Sequence, residues 1–285
     1  MNLKNYLKKA QKGGWAIGQF NFSNMDILKA IVSAAKRMKA PVIVGTSEGE
    51  SRFFGLEEAV AMVKLLRRSW APVFLNLDHG GSLGYIKDAI DAGYDAVHFD
   101  GSKLSLGNNI KTAKKVIRYA SKKNVLVEGE IDFTKGESIM LKESPNISKE
   151  DLTSPEEAEK FIKLTGVDSL AVNIGTFHGM SVCGRSPRIN LKRLRELKKV
   201  SNDKFLVLHG GSGVKKEDLK KSVKNGIVKV NINTELRKTY IEALKKVLRE
   251  NPNEIKPYKL MPAVINAVQK KVIEKIKIFG SANKL

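Results

Sequence analysis

The feature that most constrains the fold is a regular alternation between short apolar runs and amphipathic segments. Eight strand-like runs occur, at 15–21, 41–46, 72–77, 95–99, 125–130, 169–174, 205–209 and 227–232. Most of them are continuously apolar, which is typical of parallel strands covered on both faces. Apolar residues between the runs recur at the three- and four-residue spacing of helices. The pattern predicts an α/β protein with a (β/α)8 barrel, the TIM barrel, and leaves an open doubly wound sheet as the alternative.

Several of the intervening segments carry helix start and stop signals. Ser23 and Asp26 predict a capping box in front of the apolar positions that begin at Ile27. Residues 154–166 begin with serine and proline and end with glycine, which is the pattern of a complete helix. Further helices are expected at 191–200, 215–225, 235–250 and 262–278.

The chain is expected to form a single domain over residues 1–285, because no linker rich in proline, glycine or serine divides it. The longest stretch without a clear pattern is 131–153. A loop of this length in a compact domain is often a functional lid.

Composition restricts the classes of protein that remain. No run of about 18 apolar residues is present, so no transmembrane helix or membrane partner is expected. The N-terminal residues lack the apolar stretch of a signal peptide, and the one cysteine, Cys183, cannot form an intrachain disulfide. A cytoplasmic protein is the simplest interpretation.

The formal net charge of +21 raises the question of a nucleic-acid partner. Basic residues are spread over many helices, no block of five like charges occurs, and aromatic residues do not interleave with the basic pairs. A solvated basic surface is therefore favoured. The alternative from a different class is a basic nucleic-acid-binding protein on an inactive enzyme scaffold, which would bind generic DNA or RNA with a steep salt dependence.

Polar residues follow every predicted strand, and three of the four histidines are among them. His79, His178 and His209 each come at a strand end and are each followed by glycine. In a closed barrel these ends surround one opening, where three neutral imidazoles and an open position form a catalytic zinc site. The alternative is three structural histidines with hydrogen-bond partners.

Other polar residues at the strand ends are expected to support this site. Asp100 and Glu130 are expected to orient the histidine ligands or to hold a second cation. His98 lies inside a predicted strand and is expected to pack or to support the site without binding the metal.

The turns after the seventh and eighth strands favour a phosphorylated substrate. The sequence HGGSG at 209–213 offers backbone N–H groups without bulky side chains, and NINT follows at 231–234. Loops at these two positions commonly bind phosphate in (β/α)8 barrels. The alternative is that these glycines only allow tight turns between a strand and the next helix and bind no ligand.

These motifs, taken in order, resemble the class II, zinc-dependent ketose-bisphosphate aldolases, the family of fructose- and tagatose-bisphosphate aldolases. The resemblance runs nearly end to end. It includes GQFNFSN (18–24), TSEGE (46–50), LDHG (77–80), FDGS (99–102), VEGEI (127–131), GVDSLAVNIGTFHG (166–179), HGGSG (209–213), KVNINTELR (229–237) and FGSANK (279–284).

The resemblance implies a reaction and a set of roles. The reaction is reversible cleavage of a ketose 1,6-bisphosphate, most simply fructose 1,6-bisphosphate, to dihydroxyacetone phosphate and glyceraldehyde 3-phosphate through a metal-stabilised enediolate. The three histidines match the zinc ligands, and Asp100 and Glu130 match acids around the metal. Asp78 matches the acid/base at the C4 hydroxyl. The remaining matches are substrate contacts: Asn21, Ser47, Gly179, Gly210, Gly211, Ser212, Asn231 and Thr234.

The sequence departs from the family pattern at three places. The usual loop after the fifth strand is altered, so that Glu137 is the nearest candidate for the base at C3 and Glu143 is another; the alternative is that Glu137 is a solvated loop residue. Arg185 stands near the position where the family usually has a phosphate-binding lysine, and it is expected to bind the substrate phosphate in place of that lysine. Asn233 replaces the aspartate of fructose-type enzymes, which leaves a tagatose-bisphosphate or another dihydroxyacetone-phosphate-dependent aldolase as the alternative.

The resemblance also implies a homodimer or homotetramer and activation by a monovalent cation, Na⁺ or K⁺. A lysine Schiff base would be the other route to a stabilised carbanion. No lysine stands at the end of a predicted strand, which favours the metal route.

Overall fold

The structure is a computed structural model that describes residues 2–69, 72–183 and 187–285. Its strands are β1 Ile17–Asn21, β2 Val42–Ser47, β3 Val73–Gly80, β4 Ala96–Asp100, β5 Leu126–Glu130, β6 Gly136–Leu141, β7 Ser169–Ala171, β8 His178–Ser181, β9 Phe205–Leu208 and β10 Ile227–Ile232. Its helices are α1 Leu3–Gly13, α2 Met25–Met38, α3 Glu48–Phe54, α4 Leu56–Ser69, α5 Leu83–Ala92, α6 Leu106–Ser121, α7 Pro155–Thr165, α8 Leu191–Val200, α9 Lys216–Lys224, α10 Thr234–Glu250 and α11 Pro257–Phe279.

A closed parallel barrel in the order β1-β10-β9-β7-β5-β4-β3-β2 forms the centre of the fold. Helices connect successive barrel strands, so the predicted (β/α)8 barrel is confirmed and the open sheet is excluded. The register pairs Ser47 with Asp78 and Asp100 with Glu130. Because all the strands run in one direction, these polar carboxyl ends lie around the same opening.

The core follows from the apolar pattern of the strands and helices. Each long helix buries one face against the barrel, as α2 does with Ile27, Leu28 and Ile31. The sequence patterns did not predict α1. Its Leu3 and Leu7 pack on a separate cluster at the N-terminal ends of the strands, and this helix covers the end of the barrel opposite the site. Among the described residues, no helix is both long enough and apolar enough to cross a membrane.

Two predicted helix starts are wrong in detail. The N-cap of α2 is Asn24, whose side-chain oxygen accepts a hydrogen bond from the Ile27 N–H at 2.9 Å, so Ser23 does not cap the helix. Helix α11 begins at Pro257 and contains Pro262 in its interior. A proline at the first helical position needs no N–H partner, which explains the earlier start.

The segment predicted as an irregular loop, 131–153, contains a strand. Strand β6 pairs in parallel with β8 in a two-stranded sheet outside the barrel, with Gly136 opposite His178. Local sequence did not indicate this strand because it is stabilised by a partner far away in the chain. The pairing holds the segment against the loop that carries His178.

Candidate active site

His79 occupies a strained backbone position at the end of β3. Its φ angle is 116°, in a region that non-glycine residues rarely adopt. The pairing of β3 with β4 shifts register between Leu77 and Gly80, which lets the strand continue past Asp78. Backbone strain of this kind is concentrated at functional sites, where surrounding contacts maintain it.

The barrel brings the three predicted histidines together. His79 Nε2 lies 3.0 Å from His209 Nδ1, and the rings of His79 and His178 have centroids 5.2 Å apart. The His178 and His209 rings stack with centroids 6.1 Å apart. Residues distant in sequence therefore converge at one opening, as the barrel prediction required.

Two groups of side chains in the described part of the chain could hold a metal ion. One consists of Asp78, His79, His98 and His209, and the other of His79, Asp100 and Glu130. Within each group the candidate ligand atoms all lie within 4.8 Å of one another. Imidazoles with carboxylates form a donor set that suits zinc, so the residues present fit such an ion. His178 belongs to neither group, whereas His98, predicted only to support the site, belongs to one.

Carboxylates on the far sides of two histidine rings orient the imidazoles. Asp100 Oδ2 lies 3.1 Å from His79 Nδ1, and Glu128 Oε1 lies 2.8 Å from His209 Nε2. The other oxygen of Asp100 accepts hydrogen bonds from the backbone N–H and the hydroxyl of Ser102. Each ring therefore directs its second nitrogen towards the other ring, an arrangement typical of metal-binding histidines.

The surroundings shift the pKa values of two histidines in opposite directions. Burial alone would lower the pKa of His79, but Asp78, Asp100 and Glu130 together raise it to about 9. Burial and the charges of His79 and His209 lower the pKa of His178 to about 4. His178 is therefore a neutral imidazole at neutral pH, which is the form that binds metals.

Asp78 is held between two side-chain amides. Its Oδ2 accepts a hydrogen bond from Asn21 and its Oδ1 from Asn231, each at 2.9 Å. Burial would raise the pKa of Asp78, but the charges of His79, His209 and Lys229 hold it well below its usual range. The carboxylate is therefore ionised, fixed in position and able to accept a proton.

A cavity of about 200 Å³ opens beside this carboxylate and the histidines. Every residue of its lining is either a glycine or has a polar side chain. It is lined by Ser47, Asp78, His79, Ser138, His178, Gly179, His209, Gly210, Ser212, Asn231, Asn233, Thr234 and Arg237. The predicted residues Asn21, Gly211, Asp100 and Glu130 are not part of this lining.

Sequence reasoning missed Glu50 and Arg237. Glu50 forms the capping box of α3 with Ser47, and its Oε2 also accepts from Asn21 at 2.9 Å. Arg237 donates to Glu50 and to the Ser138 carbonyl, and it lines the cavity. The motifs TSEGE and NTELR contain these two residues and could have indicated them, because each motif places a charged residue about one turn beyond a strand end.

The structure does not bring the predicted base Glu137 into the site. Glu137 is exposed on β6, while Ser138 beside it lines the cavity. The alternation of side chains along a strand explains this difference, because successive residues point to opposite faces. Arg185 lies outside the described residues.

A lysine does lie inside the barrel, although not at a strand end. Lys229 is buried on β10 and its Nζ lies 2.7 Å from Glu128 Oε2. Burial would raise the pKa of Glu128, but Lys229 and His209 lower it well below its usual range. Because Lys229 is engaged in this ion pair and does not line the cavity, it does not offer a free amine to a substrate.

The glycine after His209 is required by the backbone, which gives a testable prediction. Gly210 has φ 64°, and a Cβ there would lie 2.4 Å from the Phe177 carbonyl oxygen. We expect Gly210→Ala to lower the free energy of unfolding by about 1–3 kcal/mol, as measured by urea denaturation. Gly84→Ala is the matched control, because a Cβ at this position on α5 has no neighbour within 4 Å. Equal stability of the two variants would contradict the prediction.

The fold and the site define a (β/α)8-barrel enzyme whose opening gathers histidines and carboxylates that could hold a metal ion. The model of the family described as "Fructose-bisphosphate aldolase class-II" matches residues 1–284. The chain therefore belongs to the class-II fructose-bisphosphate aldolase family and is an aldolase, a carbon–carbon lyase.

Individual relatives agree with this assignment. The chain is 33% identical to a fructose-bisphosphate aldolase of Geobacillus stearothermophilus, covering 100% of this chain and 98% of the relative. It is 35% identical to a probable fructose-bisphosphate aldolase of Bacillus subtilis, covering 99% and 98%. Among solved structures, the YdjI aldolase of Escherichia coli K12 superposes with a TM-score of 0.83 at 28% identity, covering 100% and 98%.

Proposed function

We propose that this aldolase uses zinc to cleave a ketose 1,6-bisphosphate reversibly, with fructose 1,6-bisphosphate as the first substrate to test. The products would be dihydroxyacetone phosphate and glyceraldehyde 3-phosphate. The observation that carries the proposal is the position of Asp78, ionised and fixed between two amides at the edge of the histidine cluster and open to the cavity. A zinc ion held by His79, His178 and His209 would supply Lewis-acid stabilisation of the negative charge that develops as the C3–C4 bond breaks.

Asp78 is proposed to move the proton on the C4 hydroxyl. In the cleavage direction its carboxylate accepts this proton as the hydroxyl becomes the aldehyde of the leaving product, and in condensation it returns the proton. Asn21 and Asn231 hold both carboxylate oxygens, so the oxygen facing the substrate keeps one orientation. Fixed orientation of the proton acceptor contributes directly to the rate.

The start of α10 is proposed to bind a substrate phosphate. Its first residue is Thr234, and the side chain of its N-cap residue, Asn233, makes no capping hydrogen bond, while the Glu235 N–H donates to the Ser212 hydroxyl at 3.3 Å. Gly210, Ser212 and Asn233 face the same cavity. A helix N-terminus with free N–H groups beside a glycine-rich turn attracts phosphate through its dipole and hydrogen bonds. Arg237 adds a positive charge to the same cavity.

Gly179, Gly211 and Arg185 complete the proposed set of substrate contacts, and Asp100 and Glu130 remain proposed metal-supporting residues. Glu137 remains the proposed base at C3. Its role requires that substrate binding turn its carboxylate from the exposed face of β6 towards the cavity. Activation by a monovalent cation, Na⁺ or K⁺, is part of the same proposal.

The relatives named as fructose-bisphosphate aldolases support the fructose substrate. Asn233 lines the cavity at the position where fructose-type enzymes have aspartate. Tagatose bisphosphate, or a reaction with another aldehyde, is therefore the alternative substrate within the family. The enzyme is further proposed to be one catalytic domain over residues 1–285, to act in the cytoplasm and to assemble as a homodimer or homotetramer.

Metal content measured together with fructose 1,6-bisphosphate cleavage tests the proposal. We expect about one zinc per site, loss of cleavage on chelation and recovery on return of zinc, because the carbanion cannot form without electrophilic stabilisation. Zinc without cleavage of fructose or tagatose bisphosphate would overturn the substrate. Cleavage that persists in the metal-free protein would overturn the metal route.

A further inference from the structure

A buried ion pair crosses the interior of the barrel beneath the proposed metal site. Lys229 on β10 reaches Glu128 on β5, although these strands are not neighbours in the sheet. Both side chains are at most 5% exposed. Glu128 Oε2 accepts a hydrogen bond from Lys229 Nζ at 2.7 Å, and Glu128 Oε1 lies 2.8 Å from His209 Nε2. The Ser169 hydroxyl lies at 3.5 Å from Oε2.

The chemistry of the partners fixes the direction of each hydrogen bond. An ammonium group can only donate, and an ionised carboxylate can only accept. His209 therefore carries its proton on Nε2, where it donates to Glu128 at 2.8 Å. The Asn231 amide nitrogen lies further from Nε2, at 3.2 Å, and donates to Asp78. His209 Nδ1 is then the unprotonated nitrogen, and this atom lies 3.0 Å from His79 Nε2 inside the proposed ligand group.

Stability of the fold alone does not account for this pair. Burying two charges costs free energy that their attraction often fails to recover, and an apolar pair of similar volume stabilises a core as well or better. A role in holding the orientation of His209 explains why the free-energy cost of burying the pair is tolerated. The pair contacts this one histidine at a single ring nitrogen.

We propose that Lys229 is a positioning residue for the metal, which holds the Glu128 carboxylate so that His209 presents Nδ1 to the site. This inference rests on the proposed function, since it assigns His209 as a ligand. Lys229 contacts neither the cavity nor the histidine itself and acts only through Glu128.

Two measurements on Lys229→Met test the proposal. Zinc affinity, determined by competition with a chromophoric chelator, is expected to fall by up to about 10- to 100-fold, the usual effect of losing the outer partner of a metal ligand, because Glu128 without Lys229 no longer holds His209 in place. The second readout is the ¹⁵N NMR spectrum of the imidazoles in the metal-free protein. The parent is expected to show the Nε2–H tautomer for His209 and the variant a mixture of tautomers. Lys229→Arg, which retains the charge, should recover part of both effects.

Lys275→Met is the matched control, because Lys275 forms another buried ion pair, with Glu235, away from the histidines. It should leave zinc affinity unchanged even where stability falls. If Lys229→Met does not fold, Glu128→Gln provides the same test from the other partner and should also weaken zinc binding. Zinc affinity within twofold of the parent together with an unchanged His209 tautomer would overturn the proposal, as would an equal loss of affinity in Lys275→Met. Failure of the parent to bind zinc would instead refute the proposed function, and the metal-free tautomer comparison would still decide the role of Lys229.

Discussion

Replacing Asp78 with asparagine is expected to lower kcat for cleavage by about 10²- to 10⁴-fold, the usual contribution of a general acid or base. Asparagine keeps the size of the side chain but has no ionised oxygen to accept the C4 hydroxyl proton. Asn21 and Asn231 also donate to the two oxygens of Asp78, so the new amide group would face a donor and shift. Both effects act on the chemical step, which single-turnover cleavage of fructose 1,6-bisphosphate measures directly.

Zinc content separates two roles for this carboxylate. Asp78 lies in the group with His79, His98 and His209, so its oxygen is close enough to be a ligand as well as a base. If it transfers protons, Asp78→Asn keeps its zinc and loses activity. Loss of zinc together with activity would contradict the proton-transfer role. Asp88→Asn on the exposed face of α5 is the control and should match the parent in both measurements.

The barrel and the meeting of distant residues could be predicted from the sequence because both follow from periodicity and topology. Continuous apolar runs mark strands covered on both faces, and closure of the sheet brings their ends together whatever their separation in the chain. His79 and His209 were therefore found to lie within hydrogen-bond distance of each other although β3 and β9 are far apart in sequence.

The finer details could not be predicted because they depend on contacts that local sequence does not encode. Strand β6 exists through its pairing with β8, and this pairing decides that Ser138 faces the cavity while Glu137 is exposed. The sequence of β5 does not reveal the partners of Glu128, and only the closed barrel shows that it joins Lys229 to His209.

The choice between His178 and His98 is the point at which the resemblance and the geometry differ, and it decides the second prediction. The family resemblance assigns His178 to the metal, whereas one of the two groups of ligand atoms in the described part of the chain contains His98 and neither contains His178. The Nε2 atom of His98 lies 3.1 Å from Glu130 Oε2, and the side chain is completely buried. His178 lines the cavity, where a ligand must leave an open position for the substrate.

We therefore expect His178→Ala to lose zinc and His98→Gln to retain it. Zinc sites of about four ligands bind with roughly 10–16 kcal/mol, so one ligand is worth about 3 kcal/mol, or roughly a hundredfold in affinity. Competition with a chelator measures this difference, and the d–d spectrum of the cobalt-substituted protein reports the number of ligands independently. His178 is partly exposed, so its removal leaves the core intact and weaker binding cannot be attributed to unfolding. The reverse result, with zinc lost from His98→Gln and kept in His178→Ala, would contradict this prediction. It would mean that the metal binds deeper in the barrel than the cavity. The substrate would then have to pass His79 to reach the metal.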